Sequence, residues 1–391
     1  MNETTQREAV KKLYDTYPFP PDPLIDEPPP GYNWRWKWLT AYNFCAGRKP
    51  DHSKIRILDA GCGTGVGTEY LVHLNPEAEV VAIDLSEGAL AVAKERCRRS
   101  GTKGVEFQQL NLEDATQLPG EFELINCVGV LHHLPDPHKG IAAIARKLAP
   151  GGLLHIFVYA ELGRWEITLM QEAIALLQGN KKGDYQDGVQ VGREVFANLP
   201  ENNRLVQREK ERWAMENFKD ECFADMYLHP QETDYRLENL FELIEASDLE
   251  FVGFSNPEYW DLERLLGKSP DLMARAEKLS AMERYQLIER LDPEITHYEF
   301  FLAKSPLEKV DWSDDSLLKS VIPQRNPCMN GWPSQNILNH NYQMAQLSAE
   351  EFEFLQGCDE NKSVEDILSQ VSLSLEGVRS LQKRQLVLLG I

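Results

Sequence analysis

Residues 55–65 read Ile-Arg-Ile-Leu-Asp-Ala-Gly-Cys-Gly-Thr-Gly, and residues 80–84 read Val-Val-Ala-Ile-Asp. These two segments decide the fold. The first is a short apolar strand through Ile55, Ile57 and Leu58 that ends in Asp59 and breaks into Gly61, Gly63 and Gly65. Glycine supplies turns with φ > 0 and lets a ligand lie against the main chain. Tyr70, Leu71 and Leu74 then set a helical pattern, and a second apolar strand ends in Asp84. That acid lies roughly 20 residues past the glycines, where a carboxylate can accept hydrogen bonds from ribose hydroxyls. Strand, Gly loop, helix, strand and acid make a nucleoside-binding βαβ unit.

The choice of nucleoside follows from spacing. A dinucleotide site needs G-x-G-x-x-G. Counted from Gly61 and Gly63 the third position is Val66, and counted from Gly63 and Gly65 it is Thr68, so both frames fail. What remains is an acid followed by glycines at alternate positions. Asp59 suits a cationic ammonium group, and the loop amides with the following helix N-terminus suit a carboxylate. A ligand with an amino-acid end and a nucleoside end fits S-adenosyl-L-methionine. On these residues the sequence resembles the class I S-adenosylmethionine-dependent methyltransferases, whose first motif is D-x-G-x-G-x-G. The resemblance implies cofactor contacts from Asp59, Gly61, Gly63, Gly65, Asp84 and its neighbour Leu85, with Asn111 and Leu112 after the third strand on the adenine.

The chain of 391 residues carries a net charge of −21. A nucleic-acid binder normally presents a basic face, so no nucleic-acid partner is expected. The basic run Lys94–Arg99 is read as the solvated end of a helix, where cations meet the negative dipole end. Seven scattered cysteines without a C-x-x-C pair read as reduced, packed thiols of a cytoplasmic protein. No zinc-ligand spacing appears, so no metal is expected. The polar N-terminus lacks a signal-peptide core, and no apolar run approaches the ~18 residues of a membrane span.

Beyond Asp84, Ser86 is a candidate N-cap for a helix reaching Arg99. Strands are predicted at Val105–Leu110, Leu124–Val128 and Leu153–Ala160, with a helix over Ile141–Leu148 closed by Pro150-Gly151-Gly152. The alternation predicts an α/β fold: a doubly wound, mostly parallel, Rossmann-like sheet. Helical insertions are expected at 161–232 and 257–292, with further strands at Leu249–Phe254 and His297–Ala303. Residues 1–50 read as an N-terminal lid, 51–305 as the catalytic domain, and 306–391 as a small helical, winged-helix-like module. Its helix starts are Ser348 with Glu351, Ser363 with Asp366, and Ser374. With an acidic surplus, that module is expected to dock onto protein or onto the chain's own core.

The acceptor side is less defined. Asn111 can offer both a donor and an acceptor to adenine, with a turn role as the alternative. The loop after the fourth strand, Gly129–Pro135, carries His132 and His133. Either can serve as a base or as a packed, hydrogen-bonded core residue. Tyr17, with Tyr14 second, is the candidate lid residue over the sulfonium, with packing as the alternative. Tyr159, Arg164 and His229 are weaker candidates beside the insertions. Amide-methylating enzymes of this fold usually carry a motif resembling N-P-P-Y after the fourth strand, which is missing here. Asn256-Pro257-Glu258-Tyr259 follows a different strand and reads as a turn.

Several segments extend the resemblance: Tyr14–Pro21, Gly129–Pro137, Tyr159–Arg164 and Phe223–Phe254. Together they resemble a bacterial methyltransferase subgroup, and the whole-chain layout is similar to the cyanobacterial phycobiliprotein asparagine methyltransferases. The resemblance implies a protein substrate, at an asparagine side-chain amide. A small metabolite or lipid is the alternative acceptor. A non-catalytic scaffold that binds the cofactor without turnover is the competing class.

Overall fold

The computed structural model describes residues 3–358 and 361–390. Its centre is a seven-stranded sheet: β1 (Arg56–Ala60), β2 (Glu79–Asp84), β3 (Val105–Gln109), β4 (Phe122–Val128), β5 (Leu148–Tyr159), β6 (Glu250–Phe254) and β7 (His297–Ala303). The spatial order is β3-β2-β1-β4-β5-β7-β6. The first five strands are parallel, and β7 runs antiparallel between β5 and β6. Helices cover both faces. One face buries Leu58, Ile83, Ile125, Leu154 and Phe300 with Ile141, Ile144 and Leu240. The other buries Ile57, Val80, Leu124 and Phe301 with Trp34, Trp38 and Ala41. Burial on two sides explains the nearly continuous apolar strands. Strand order reverses between β1 and β4, the switch point where ligands bind at the strands' carboxyl ends.

The helices that matter for the site are α1 (Glu3–Thr16), α2 (Trp38–Ala46), α3 (Val66–Leu74), α4 (Glu87–Arg99), α5 (Pro137–Ala145), α6 (Trp165–Gln178) and α7 (Tyr185–Asn198). Ser86 caps α4 by accepting from the Ala89 amide. The predicted helix over Ile141–Leu148 is displaced. Asp136 caps α5 at its start, with Pro137 in the first turn, and Leu148 already belongs to β5. Pro150-Gly151-Gly152 therefore sits inside a strand instead of closing a helix. The β4–β5 register shifts between Phe122 and Leu124, which absorbs the extra residues as a bulge.

The first insertion is helical, as expected, and packs α6, α7 and the helix Asp220–Leu228 against Leu13 of α1. The C-terminal segment has its own core through Leu318, Phe354, Ile367, Val378 and Leu386. All three helix starts are realised, with capping boxes at Ser348 and Ser363. The segment is helical, as expected, and adds two short antiparallel strand pairs, Gln324–Arg325 with Val387–Leu388 and Asn336–Leu338 with Met344–Gln346. Strands of two or three residues are too short to print an alternation in the sequence. The segment docks on the chain's own core. Asn43 Nδ2 donates to the Leu389 carbonyl at 2.9 Å, Trp34 Nε1 to Asn341 Oδ1 at 2.9 Å, and Tyr32 stacks on Tyr342. Among the described residues no helix is long and apolar enough to cross a membrane.

Candidate active site

The loop between β1 and α3 is shaped by its glycines. Gly61, Gly63 and Gly65 have φ of +86°, +52° and +84°. A Cβ on Gly61 would lie 2.4 Å from Val130, on Gly63 2.7 Å from the Phe19 carbonyl oxygen, and on Gly65 2.7 Å from Ala93. Each glycine thus has both a conformational and a steric reason. Asp84 closes the loop: its carboxylate accepts from the Gly63 amide and the Ser86 amide, both at 2.8 Å. Asp59 accepts from Thr68 Oγ1 at 2.6 Å and Asn126 Nδ2 at 2.9 Å. Burial pushes its carboxyl up to about 6, and those two hydrogen bonds pull it back.

In front of this loop lies a cavity of about 480 Å³. Asp59, Gly61, Gly63, Asp84, Leu85, Asn111 and Leu112 all line it. Gly65 stands behind them, against α4. Asn111 also serves the turn: its Oδ1 accepts from the Glu113 amide at 3.3 Å, capping the short helix Leu112–Gln117. Asn111 thus both caps the turn and borders the cavity. The cavity suits S-adenosylmethionine by its donor set: carboxylates for an ammonium and for ribose hydroxyls, and a cradle at Gly63 that a Cβ would fill.

The roof comes from the N-terminal segment. Arg7, Val10 and Tyr14 of α1 face the cavity, as do Phe19, Pro20 and Trp36. Arg7 pairs with Glu113 at 2.7 Å, and Asp15 accepts from Ser86 Oγ at 2.8 Å. The carbonyls of Phe19 and Pro20 accept from Thr64, and those of Asp22 and Pro23 accept from Arg96. Five of these contacts strap the segment to the Gly loop and α4, and Arg7 ties it to the short helix Leu112–Gln117. Deleting residues 1–22 is expected to weaken S-adenosylhomocysteine binding by about tenfold or more. Calorimetry measures the affinity, and circular dichroism checks that the sheet persists. Wild-type affinity in the truncated protein would show that the strap carries no part of the site.

The structure redistributes the predicted acceptor residues. Tyr17 does not line the cavity; it packs beside Leu13, Met170 and Phe223. Tyr17 lies just past the end of α1, where its amide donates to the Leu13 carbonyl at 2.8 Å, and it packs with Leu13 toward the insertion, whereas Tyr14 borders the cavity. His132 is fully buried behind the wall, stacked on Tyr159, and neither ring nitrogen has a hydrogen-bond partner. His133 does line the cavity. Its Nδ1 lies 3.1 Å from the Gln231 carbonyl oxygen, which assigns the proton to that nitrogen, and its ring stacks on His229. Burial lowers His133 to about 3, so it is a weak proton acceptor.

Another group on the wall has a higher proton affinity. Asp225, on the helix Asp220–Leu228, lines the cavity and accepts from Tyr14 Oη at 3.0 Å. Burial raises Asp225 to about 6, while Tyr14 and Arg164 oppose that rise. It is thus a carboxylate at neutral pH with appreciable proton affinity. Arg164 sits under the Tyr159 ring, 3.4 Å from its centroid, and is held by Glu232 at 3.0 Å and Asp234 at 3.5 Å. Sequence reading placed Tyr159, Arg164 and His229 in this region but missed Asp225. The available signal was an acid in Phe223-Ala224-Asp225-Met226-Tyr227, where its neighbours are apolar.

A nucleoside-binding α/β sheet with an acid-bearing Gly loop, roofed by its own N-terminal segment, defines a transferase that handles S-adenosylmethionine. The comparisons agree. Residues 57–152 match a family described as "Methyltransferase domain". An uncharacterized protein of Synechococcus sp. is 59% identical over 387 residues, covering 98% of this chain and 93% of that protein. An uncharacterized phycocyanin operon protein W of Pseudanabaena tenuis is 71% identical over 100 residues, 26% of this chain and 94% of that protein. A ubiquinone biosynthesis O-methyltransferase of Dechloromonas aromatica is 33% identical over 184 residues, 46% of this chain and 72% of that enzyme. PKMT2 of Rickettsia typhi, solved in complex with AdoHcy, has the same fold, with a TM-score of 0.63, 15% identity, and coverage of 93% of this chain and 77% of that one. The chain belongs to the class I S-adenosylmethionine-dependent methyltransferases.

Proposed function

We propose that this methyltransferase modifies a protein, at the side-chain amide nitrogen of an asparagine in a phycobiliprotein. The observation that carries the reading is the Tyr14–Asp225 pair lining the same cavity as the Gly loop. An amide nitrogen becomes a nucleophile only as its N–H proton is withdrawn, so it needs a desolvated proton acceptor held in place. Asp225 is such a group, oriented by Tyr14. The amide N–CH3 bond would form as the sulfonium S–CH3 bond breaks to leave a neutral thioether, and the amide N–H proton would pass to Asp225. The bound cofactor supplies an activated methyl on a sulfonium. Asp59 and Asp84 hold its two ends, the N-terminal strap excludes water, and in-line positioning does the rest. The similarity to a phycocyanin operon protein supports the acceptor class. The insertions and C-terminal segment add surface beyond what a small acceptor requires.

We also infer a division of labour: residues 1–50 as lid, 51–305 as catalytic domain and 306–391 as a buttress. A cytoplasmic setting accords with cysteines that form no disulfide among the described residues. A second reading, a small metabolite or lipid acceptor, draws on the aromatic wall of Phe157, Tyr159 and Trp213 and on the relative named for ubiquinone biosynthesis. Incubating the enzyme with labelled cofactor and cell lysate separates the two. Label precipitating with protein supports the first reading, and label found only in the solvent-extractable fraction supports the second. The pH profile is a further check. Asp225 accepts a proton only when ionised, so kcat is expected to fall as pH drops through about 6. A flat kcat from pH 5 to 8 would contradict a role for Asp225.

A further inference from the structure

A second polar arrangement runs through the middle of the sheet, away from the acceptor. Asp59, Asn126 and His155 occupy one row across β1, β4 and β5. Asn126 Nδ2 donates to Asp59 Oδ1 at 2.9 Å, and Asn126 Oδ1 lies 2.9 Å from His155 Nδ1. His155 Nε2 lies 3.1 Å from Glu299 Oε1 on β7. The other Glu299 oxygen pairs with Arg35 Nε and accepts from Ser255 Oγ, both at 2.8 Å. Asn126 and His155 are buried, at 2% and 0% exposure. Nothing in the cofactor motifs calls for a histidine or a glutamate here, and burying such a row is costly unless every member is paired.

Counting hydrogens along the row fixes more than distances do. An ionised Asp59 offers only acceptors, so the Asn126 amide must point its NH2 at Asp59 and its oxygen at His155. His155 Nδ1 must then carry a proton. Glu299 is held down to about 2 against its burial, by the His155 hydrogen bond first and Arg35 second. With its other oxygen already taken by Arg35 and Ser255 it offers only acceptors, so His155 Nε2 must carry a proton as well. Both ring nitrogens protonated makes an imidazolium. Moving the second ring proton to Glu299 instead would put a neutral acid against Arg35, at 2.8 Å, and lose the ion pair. The remaining alternative with the same number of protons has a neutral His155, a turned Asn126 amide and a protonated Asp59. The two states differ by moving one proton from His155 to Asp59. Only the first presents a carboxylate to a cation.

We propose that His155 is a positioning residue, held as an imidazolium between Asn126 and Glu299, which keeps Asp59 ionised and oriented toward the amino-acid ammonium of the cofactor. The groups facing His155 are Asn126, Glu299, the Arg35 guanidinium behind Glu299, and the Phe301 ring at 5.0 Å. Burial, with a smaller push from Arg35, lowers the His155 ring below the usual imidazole value, and the Glu299 hydrogen bond and charge pull it back only in part. The case for the imidazolium is the pair of acceptors facing its two ring nitrogens. Arg35 leaves the N-terminal segment to reach Glu299, so the row also ties that segment to the cofactor carboxylate.

Ring-nitrogen NMR of the 15N-labelled full chain loaded with S-adenosylhomocysteine tests the protonation state without a mutation. Two protonated nitrogens on His155 at pH 7 are expected, and a neutral ring would overturn the proposal. Calorimetry adds an independent reading. His155→Gln, folded by circular dichroism, is expected to bind S-adenosylhomocysteine about tenfold or more weakly, the scale of a charge-assisted hydrogen bond. In the wild type, affinity is expected to decline as pH rises past the His155 transition, and His155→Gln is expected to lose that decline. A purely structural role would weaken binding without removing the pH dependence, and that result would also overturn the proposal.

Discussion

Gly63→Ala is expected to abolish measurable cofactor binding while the sheet stays folded. Two effects act together. The residue sits at φ +52°, a region costing an L-residue about 1–2 kcal/mol. Its new Cβ would also lie 2.7 Å from the Phe19 carbonyl oxygen, which the Thr64 amide uses to hold the strap. Relief requires moving the strap or the loop, and both line the cavity. A loss of at least ~100-fold in S-adenosylhomocysteine affinity follows if about 3 kcal/mol of this strain falls on the bound state. Gly104→Ala is the control. Gly104 has φ +81° with no atom within 4 Å of a built Cβ, so it carries the backbone strain without the steric contact. Equal affinities for the two variants by calorimetry would contradict the assignment of the loop.

Asp225→Asn is expected to separate binding from chemistry. The substitution keeps shape and a partner for Tyr14 but removes the proton acceptor. Turnover is expected to drop by roughly 100-fold or more, the ordinary contribution of a positioned base. S-adenosylhomocysteine affinity is expected to hold, because the Gly loop, Asp84 and Asn111 are untouched. The acid limb of the kcat profile near pH 6 is expected to disappear with it. If Asp225→Asn retains wild-type kcat, the proton acceptor lies elsewhere on the wall.

What could be read in advance follows from how local each signal is. The Gly loop, Asp84 and the Ser86 cap are set by residues within a few positions of one another, and each was legible. The central strands were legible because two-sided burial leaves apolar runs. Pro150-Gly151-Gly152 misled because its role depends on β4, which admits a bulge there. The acceptor side depends on distant segments meeting: Tyr14 and Asp225 are joined by one hydrogen bond, and His155 reaches Glu299 across the sheet. Tyr17 and Tyr14 carry the same side chain three positions apart, and only where α1 ends, with Tyr17 past it and packed beside Leu13, distinguishes them. His132 and His133 are adjacent in sequence, yet one is sealed behind Tyr159 and the other opens on the cavity.

The most direct test is methyl transfer to a defined acceptor. Purified enzyme is incubated with S-adenosylmethionine and unmethylated phycobiliprotein subunits, and the products are read by intact-mass and peptide-fragment spectrometry. The account predicts the gain of one methyl group on one asparagine side-chain nitrogen, absent when Asp225→Asn replaces the wild type. Subunits of unchanged mass, alongside a methylated small molecule in the extract, would contradict it.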